Sequence, residues 1–173
     1  MNNKLIMSFF VALSISYAEL ITVDGDISSD VAWTSNNTYY LNSQAFVKDG
    51  VTLTIEAGTE ILGRYDANYS ADNPAPCLVV EQGGKIIAQG TAEAPITFRS
   101  ELDATDPNYG NGRGLWGGLI INGYAPIAND GGTANVEGLT GVPYGGTDPD
   151  DNSGVLRYVR VWNGGSSIAP DNE

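Results

Sequence analysis

The sequence contains no histidine and only one cysteine, Cys77, among its 173 residues. Without His the chain has no Ser-His-Asp or Cys-His nucleophile system, no His-based zinc or haem site and no imidazole general base. A single Cys also excludes an intrachain disulfide framework, even in an oxidising compartment. These absences remove several common catalytic chemistries.

Basic residues are scarce as well, because 8 Lys and Arg stand against 21 Asp and Glu, for a formal net charge of −13. Proteins bind phosphate backbones with Lys and Arg that displace counterions, so we expect no nucleic-acid partner. A hydrophobic content of 42% with 17% charged residues argues against disorder. The composition therefore predicts one folded, acidic domain.

Long apolar runs are absent except at the N-terminus. There, Lys4 precedes an apolar run of about twelve residues, and Ser16-Tyr17-Ala18 fits a small-x-small cleavage site. We interpret residues 1–18 as a secretory signal peptide and residues 19–173 as the folded domain. A membrane anchor is the weaker alternative, because the run is short of the roughly 20 residues that span a bilayer. We expect a secreted or cell-surface protein, cleaved near Ala18, with no membrane span in its mature chain.

The remaining sequence alternates short apolar runs with clusters of Gly, Asn, Asp and Pro, which is typical of an all-β fold. Outside the signal peptide, no window keeps apolar residues at helical spacing for three turns. The clearest predicted strands are Thr38-Leu41, Ala45-Val47, Val51-Ile55, Glu60-Leu62, Leu78-Val80, Lys85-Ala88, Ile96-Arg99, Leu119-Ile121 and Val155-Trp162.

An internal repeat relates the stretch that starts at Val47 to the one that starts at Val80, 33 residues later. Both read V-x-x-G-x-x-aliphatic and close on Gly-Thr. Self-similarity at this period predicts stacked coils of a parallel β-helix, whereas two unrelated hairpins are the alternative. We expect the inward-facing core positions to be Val51, Leu53, Ile55, Val80, Ile86 and Ala88. Three segments do not fit a minimal coil and are predicted loops: Tyr65-Pro76, Glu101-Gly114 and Asn129-Ser153.

The pieces "GLWGGLIING" and "YGGTDPDDNSGVLRYVR" are the most specific in the chain. With the repeat, they make it resemble a family of exported bacterial proteins expected to be right-handed parallel β-helices. The resemblance covers about Tyr39 to Glu173. It implies a right-handed parallel β-helix in a secreted or cell-surface protein, often with a lipoprotein or sorting signal, and it attaches no established reaction.

Two departures from that family affect the expectations. Glu19 stands where a lipoprotein would have its Cys, and the sequence stops at Glu173 where relatives continue through further coils. We therefore expect either a fragment of a longer solenoid or self-association through an open β-helix end.

The acidic run at Asp148, Asp150, Asp151 and Asn152 is the candidate metal site, because Ca²⁺ takes six to eight oxygen ligands from a flexible loop. The alternative is a solvated turn in which Asx side chains cap the backbone. Arg157 and Arg160 follow on a predicted strand, and we expect one of them to pair with a nearby Asp. An acidic-sugar lyase would instead need these arginines and the acids to converge in one groove.

Five aromatic residues lie among Gly-rich turns, where core packing is expected over stacking on sugars: Trp116, Tyr124, Tyr144, Tyr158 and Trp162. We expect Trp116 to be buried and Trp162 to lie at a rim.

The sequence favours a non-enzymatic secreted or cell-surface β-solenoid that acts as a structural or adhesive module. Its expected partners are polysaccharide or cell-surface components, with Ca²⁺ as a supporting ion and no required cofactor. The alternative is a carbohydrate-active enzyme, either a polysaccharide lyase or a hydrolase, on the same scaffold.

Overall fold

The computed structural model describes residues 18–166 of the chain. The predicted signal peptide therefore lies almost entirely outside the described residues. Within them the fold is all-β, and no helix is long and apolar enough to cross a bilayer. The strands are β1 (Leu20–Ile27), β2 (Val31–Trp33), β3 (Thr38–Val47), β4 (Thr52–Ile55), β5 (Glu60–Gly63), β6 (Cys77–Val80), β7 (Lys85–Gln89), β8 (Ile96–Ser100), β9 (Gly118–Ile121), β10 (Ala134–Asn135), β11 (Pro143–Tyr144), β12 (Gly154–Arg157) and β13 (Val159–Val161).

Apart from the β10–β11 hairpin, all pairings between these strands are parallel, and each coil lies on the one before it. Three faces result. Face A stacks the first halves of β1 and β3 with β5, β8 and β13. Face B stacks the second halves of β1 and β3 with β6 and β9, and face C stacks β2, β4, β7 and β12. The predicted parallel β-helix is confirmed.

The repeat seen in the sequence is the stacking register of two successive coils. Val47 pairs with Val80 on face B, and Leu53 pairs with Ile86 on face C. The turns between these faces are also equivalent, because Gly50 and Gly83 have φ of 74° and 78° and the Gly50 N–H donates to the Gly83 carbonyl. Such positive φ values favour glycine, which has no Cβ.

Inward-facing aliphatic side chains form one continuous core along the solenoid. All six predicted core residues are buried in it: Val51, Leu53, Ile55, Val80, Ile86 and Ala88. Because side chains alternate across a strand, every second residue of the central strands joins this core: Leu53 and Ile55 of β4, Ile86 and Ala88 of β7, and Ile96 and Phe98 of β8. Trp33 stacks on Tyr39 within the same core, with ring centroids 4.6 Å apart.

Three differences from the predicted elements follow from the stacking. The first coil, β1 and β2, was not predicted. The single strand predicted at Val155-Trp162 is two strands, because Tyr158 adopts a φ of 48° and turns the chain from face C to face A. The third predicted loop begins at Asn122 rather than Asn129 and contains the β10–β11 hairpin.

Two loops, 64–76 and 122–153, cover the outer surface of face B. They contribute Ala75, Leu139 and Val142 to a second apolar cluster with Cys77 and Val79 of β6. For this reason all four residues of β6 are buried, whereas the other strands alternate or are exposed.

Trp116 and Gly63 set the closest packing in the core. A Cβ added to Gly63 would lie 2.7 Å from the Cβ of Trp116, and the indole of Trp116 is fully buried.

We predict that Gly63→Ala lowers the free energy of unfolding by about 1–3 kcal/mol through overpacking, measured by urea denaturation. Gly164→Ala is the matched control, because its added Cβ would meet Trp116 only at 3.9 Å. Equal stability losses in both variants would contradict this explanation.

Candidate functional site

The insertion between β9 and β12 forms a cleft where it leaves the solenoid. The cleft has a volume of about 410 Å³. Its walls are largely apolar, with one carboxylate and one side-chain amide, and no Lys or Arg lines it. The lining residues are Ile121, Asn122, Gly123, Ala125, Ile127, Val136, Glu137, Tyr144 and Gly145.

The base of this cleft is fixed to the solenoid by hydrogen bonds. Gln82, in the turn after β6, donates its Nε2 to the carbonyls of Gly123 and Gly145 at 2.9 and 2.7 Å. The Gly145 N–H donates to Gly123, which closes the insertion onto itself. A cleft held at its base in this way is preformed, which reduces the ordering cost of binding.

Asn122 is the polar residue at the bottom of the cleft, and only 4% of its surface is exposed. Its N–H donates to Val80 and its carbonyl accepts from the Ser153 hydroxyl, so the backbone is held on both sides. Its side-chain Nδ2 has no hydrogen-bond partner among the described residues. A buried donor without a hydrogen bond lowers the stability of a fold by about 1–3 kcal/mol. A hydrogen-bond acceptor supplied by a ligand would satisfy this amide.

The predicted acidic site lies beside this cleft. Asp148, Asp150, Asp151 and Asn152 all line a second, smaller pocket of about 290 Å³, together with Lys85 and Tyr124. Two of these side chains cap the backbone: Asp148 accepts from the Asp150 N–H at 3.0 Å, and Asn152 accepts from the Gly154 N–H at 2.9 Å. Asp151 accepts from the Ser153 hydroxyl. These are the Asx turns of the alternative interpretation.

No group of three or more His, Cys, Asp or Glu among residues 18–166 is arranged to hold a metal ion. The four predicted ligands thus share a pocket without forming a ready coordination shell. Binding of Ca²⁺ there stays a prediction, and it would require the loop to supply further oxygens.

The two arginines do not lie where the sequence predicted. Arg157 ends β12 on face C, while Arg160 lies in β13 on face A, because Tyr158 turns the chain between them. Each guanidinium lies over an aromatic ring, Arg157 at 5.5 Å from the centroid of Tyr158 and Arg160 at 5.6 Å from that of Trp162. The expected pairing with Asp is wrong, since the ion pairs of the described residues involve only Lys48, Arg64 and Arg99.

The convergence of acids and arginines that a lyase would need in this region is therefore not found. Arg157 lines a separate pocket with Glu93 and Tyr158, apart from the pocket of the three aspartates. The cation that does share a pocket with the aspartates is Lys85.

The aromatic residues divide between core and surface. Trp116 is buried, as predicted, and its indole N–H donates to the Trp162 carbonyl at 2.7 Å. Trp162 is exposed at the rim, also as predicted, but core packing is the wrong expectation for the tyrosines. Tyr124, Tyr144 and Tyr158 are exposed, the first beside the acidic pocket and the second in the cleft.

Asn122 was missed in the sequence because a single Asn in a turn carries no distinctive pattern. The stacking register does mark it, since Ile121 pairs with Val80 and Asn122 follows at the position of Glu81. Glu81 is satisfied by an ion pair with Lys48 at 2.6 Å, whereas the amide at the equivalent position in the next coil has no such partner.

The thiol of Cys77 is not a nucleophile in the folded chain. Burial raises its pKa to about 12, and the residue is fully enclosed under the loops of face B. Burial also raises the pKa of Tyr69 to about 12. Neither group supplies a reactive anion near neutral pH.

We predict that Cys77 does not react with a thiol reagent such as DTNB at pH 8 in the native chain, because the thiolate is both disfavoured and enclosed. In denaturant it should react fully, with the rate following unfolding measured by circular dichroism. Rapid labelling of the native protein would show that the loops over β6 open.

A search of protein-family models matched residues 25–173 to the model described as a pectate-lyase-like β-helix domain. Neither the curated proteins nor the solved structures gave a match.

Proposed function

Because this chain belongs to the family of pectate-lyase-like β-helix domains, we propose that it is a secreted or cell-surface module that binds a polysaccharide without converting it. The cleft between β9 and the insertion carries this proposal. It combines an exposed aromatic residue, Tyr144, with a buried amide donor, Asn122, that lacks a partner. An aromatic surface with a few placed polar groups is the composition that sugar rings and their hydroxyls require.

The charge around the cleft favours a neutral polysaccharide over an acidic one. Glu137 lines the cleft, and Asp148, Asp150 and Asp151 line the adjacent pocket. A uronate would meet these carboxylates, whereas neutral hydroxyls can both donate to Glu137 and accept from Asn122. The same acidic surface serves solubility in an exported protein.

We predict that Tyr144→Ala weakens binding to neutral glycans by about tenfold, the loss of one aromatic contact, when hits from a glycan array are titrated by calorimetry. Tyr158→Ala is the matched control, since it removes an exposed Tyr outside the cleft. Asn122→Ala should weaken binding without lowering the melting temperature, because the native amide has no partner to lose. Preferential binding of uronate polymers, or equal effects of both Tyr substitutions, would contradict the proposed site.

The alternative function is a carbohydrate-active enzyme. It is supported by the family to which the chain belongs and by the pocket that Lys85 shares with Asp148, Asp150 and Asp151. The same glycan hits separate the two functions when they are incubated with the protein and analysed for new chain ends. Unchanged glycans support a binding module, whereas cleavage that Lys85→Ala abolishes would establish the enzyme.

We further propose that Ca²⁺ stiffens the loop of Asp148, Asp150, Asp151 and Asn152. At about 10 mM calcium, a site of extracellular affinity should raise the melting temperature by about 3–10 °C relative to chelator. Magnesium at equal ionic strength is the control for screening, and the triple variant D148N/D150N/D151N should lose the response. A melting temperature that is the same in calcium and in chelator would remove the ion from the proposed function.

A further inference from the structure

Loop 64–76, between β5 and β6, is attached to the solenoid by few bonds. Residues 65–75 make no backbone–backbone hydrogen bond to any other part of the described chain, and the bonds of this kind that they do make join Ser70 and Asn73 to each other. Strand β6, which the loop covers, forms its ladder with β3 and β9. The loop can therefore leave the surface of face B without breaking a bond between coils.

The side chain of Arg64 joins the two ends of this loop to each other and to the preceding coil. Its Nε donates to the Asn42 carbonyl at 2.8 Å. Its Nη1 pairs with Asp66 at 3.4 Å, while its Nη2 donates to Asn73 Oδ1 at 2.8 Å and to the Pro74 carbonyl at 3.4 Å. The planar fork of a guanidinium makes such a set of contacts possible. One side chain therefore carries four of the hydrogen bonds that hold the loop closed.

Little apolar surface holds the loop closed in addition. Of residues 65–75, Tyr69 and Ala75 are the two that pack in the second apolar cluster. The guanidinium of Arg64 lies 5.7 Å from the centroid of the Tyr69 ring, so it also supports this contact. The tip is exposed at Ala67, Asn68, Ser70, Ala71 and Asp72. Polar contacts near the surface are individually weak, so segments of this kind open at a low free-energy cost.

We propose that loop 64–76 is a strap that opens as a unit while the coils stay folded, and that Arg64 is the positioning residue that keeps it shut. Opening uncovers the thiol of Cys77, which follows the strap in the chain and packs with Ala75 on the outer side of face B. Burial keeps this thiol unreactive when the strap is closed, so Arg64 controls access to it. The strap does not involve the glycan cleft, and its test needs no glycan.

Independent opening is tested on the wild-type chain by amide hydrogen exchange, followed by NMR at low concentrations of urea. We expect the protection of the Ser70 and Asn73 amides to be nearly independent of urea, because opening of the strap exposes little surface. The amides of β6 should lose protection as urea rises, because they exchange through unfolding of the coils. If the strap amides show the same protection and the same urea dependence as those of β6, the strap opens only with the whole solenoid and the proposal is overturned.

The role of Arg64 is tested by substitution in the full chain, with circular dichroism to verify the fold. Arg64→Ala should speed exchange of the Ser70 and Asn73 amides by at least about tenfold more than exchange in β6. Arg99→Ala is the matched control, because the two side chains are 21% and 24% exposed and each forms one ion pair, but the bonds of Arg99 stay within face A. Equal acceleration in the strap and in β6, or equal effects of both substitutions, would mean that Arg64 merely stabilises the whole fold.

Access to Cys77 is tested by labelling with DTNB at pH 8 without denaturant. We expect Arg64→Ala to raise the labelling rate at least about tenfold over the wild type, and Arg99→Ala to leave it unchanged. Arg64→Lys keeps the charge without the planar fork, so its labelling rate should fall between those of the wild type and Arg64→Ala. Labelling that stays as slow in Arg64→Ala as in the wild type would show that the strap does not control the thiol, which overturns the proposal.

Discussion

The parallel hydrogen-bond ladder between successive coils is the constraint on which the rest of this structure depends. Each coil must place its strands about 4.8 Å above the previous ones, in the same direction and in register. Val47 therefore lies over Val80, and Leu53 over Ile86. Because the register repeats, a row of inward positions must stay aliphatic from one coil to the next, and turns between faces must accept positive φ, as Gly50 and Gly83 do.

The insertions leave the ladder intact because they depart from the solenoid only between its strands. Loops 64–76 and 122–153 both cover face B, where their apolar residues bury Cys77 and Val79. The larger of them leaves at Asn122 and returns at Ser153, two residues joined by a hydrogen bond between the Ser153 hydroxyl and the Asn122 carbonyl. The cleft lies at this junction, so a rigid coil positions one wall and a loop supplies the other, which is a common arrangement for binding sites.

The same constraint explains why the acids and arginines after this loop do not form one site. Strand β12 must end where the face below it ends, and Tyr158 turns the chain within a single residue. Arg157 and Arg160 are thus distributed to different faces and lie over aromatic rings, while the aspartates remain in the loop and cap its backbone. The aspartates and the arginines are close along the chain, but the fold does not bring their side chains together.

The sequence alone determined the all-β class, the coil repeat and the six core residues. Apolar residues alternate with a period of two within strands and recur at a fixed offset between coils, and both patterns are visible in the sequence. It also predicted Trp116 in the core, from the flanking Leu115 and glycines, and the approximate loops, from the segments that do not fit a coil. It did not identify the first coil, the break at Tyr158 or the cleft around Asn122. These three features depend on which coil stacks above or below a residue, and on which polar groups the neighbouring residues leave without a hydrogen bond. Only the tertiary structure decides that, since burial and hydrogen-bond satisfaction arise from contacts between residues far apart in the chain.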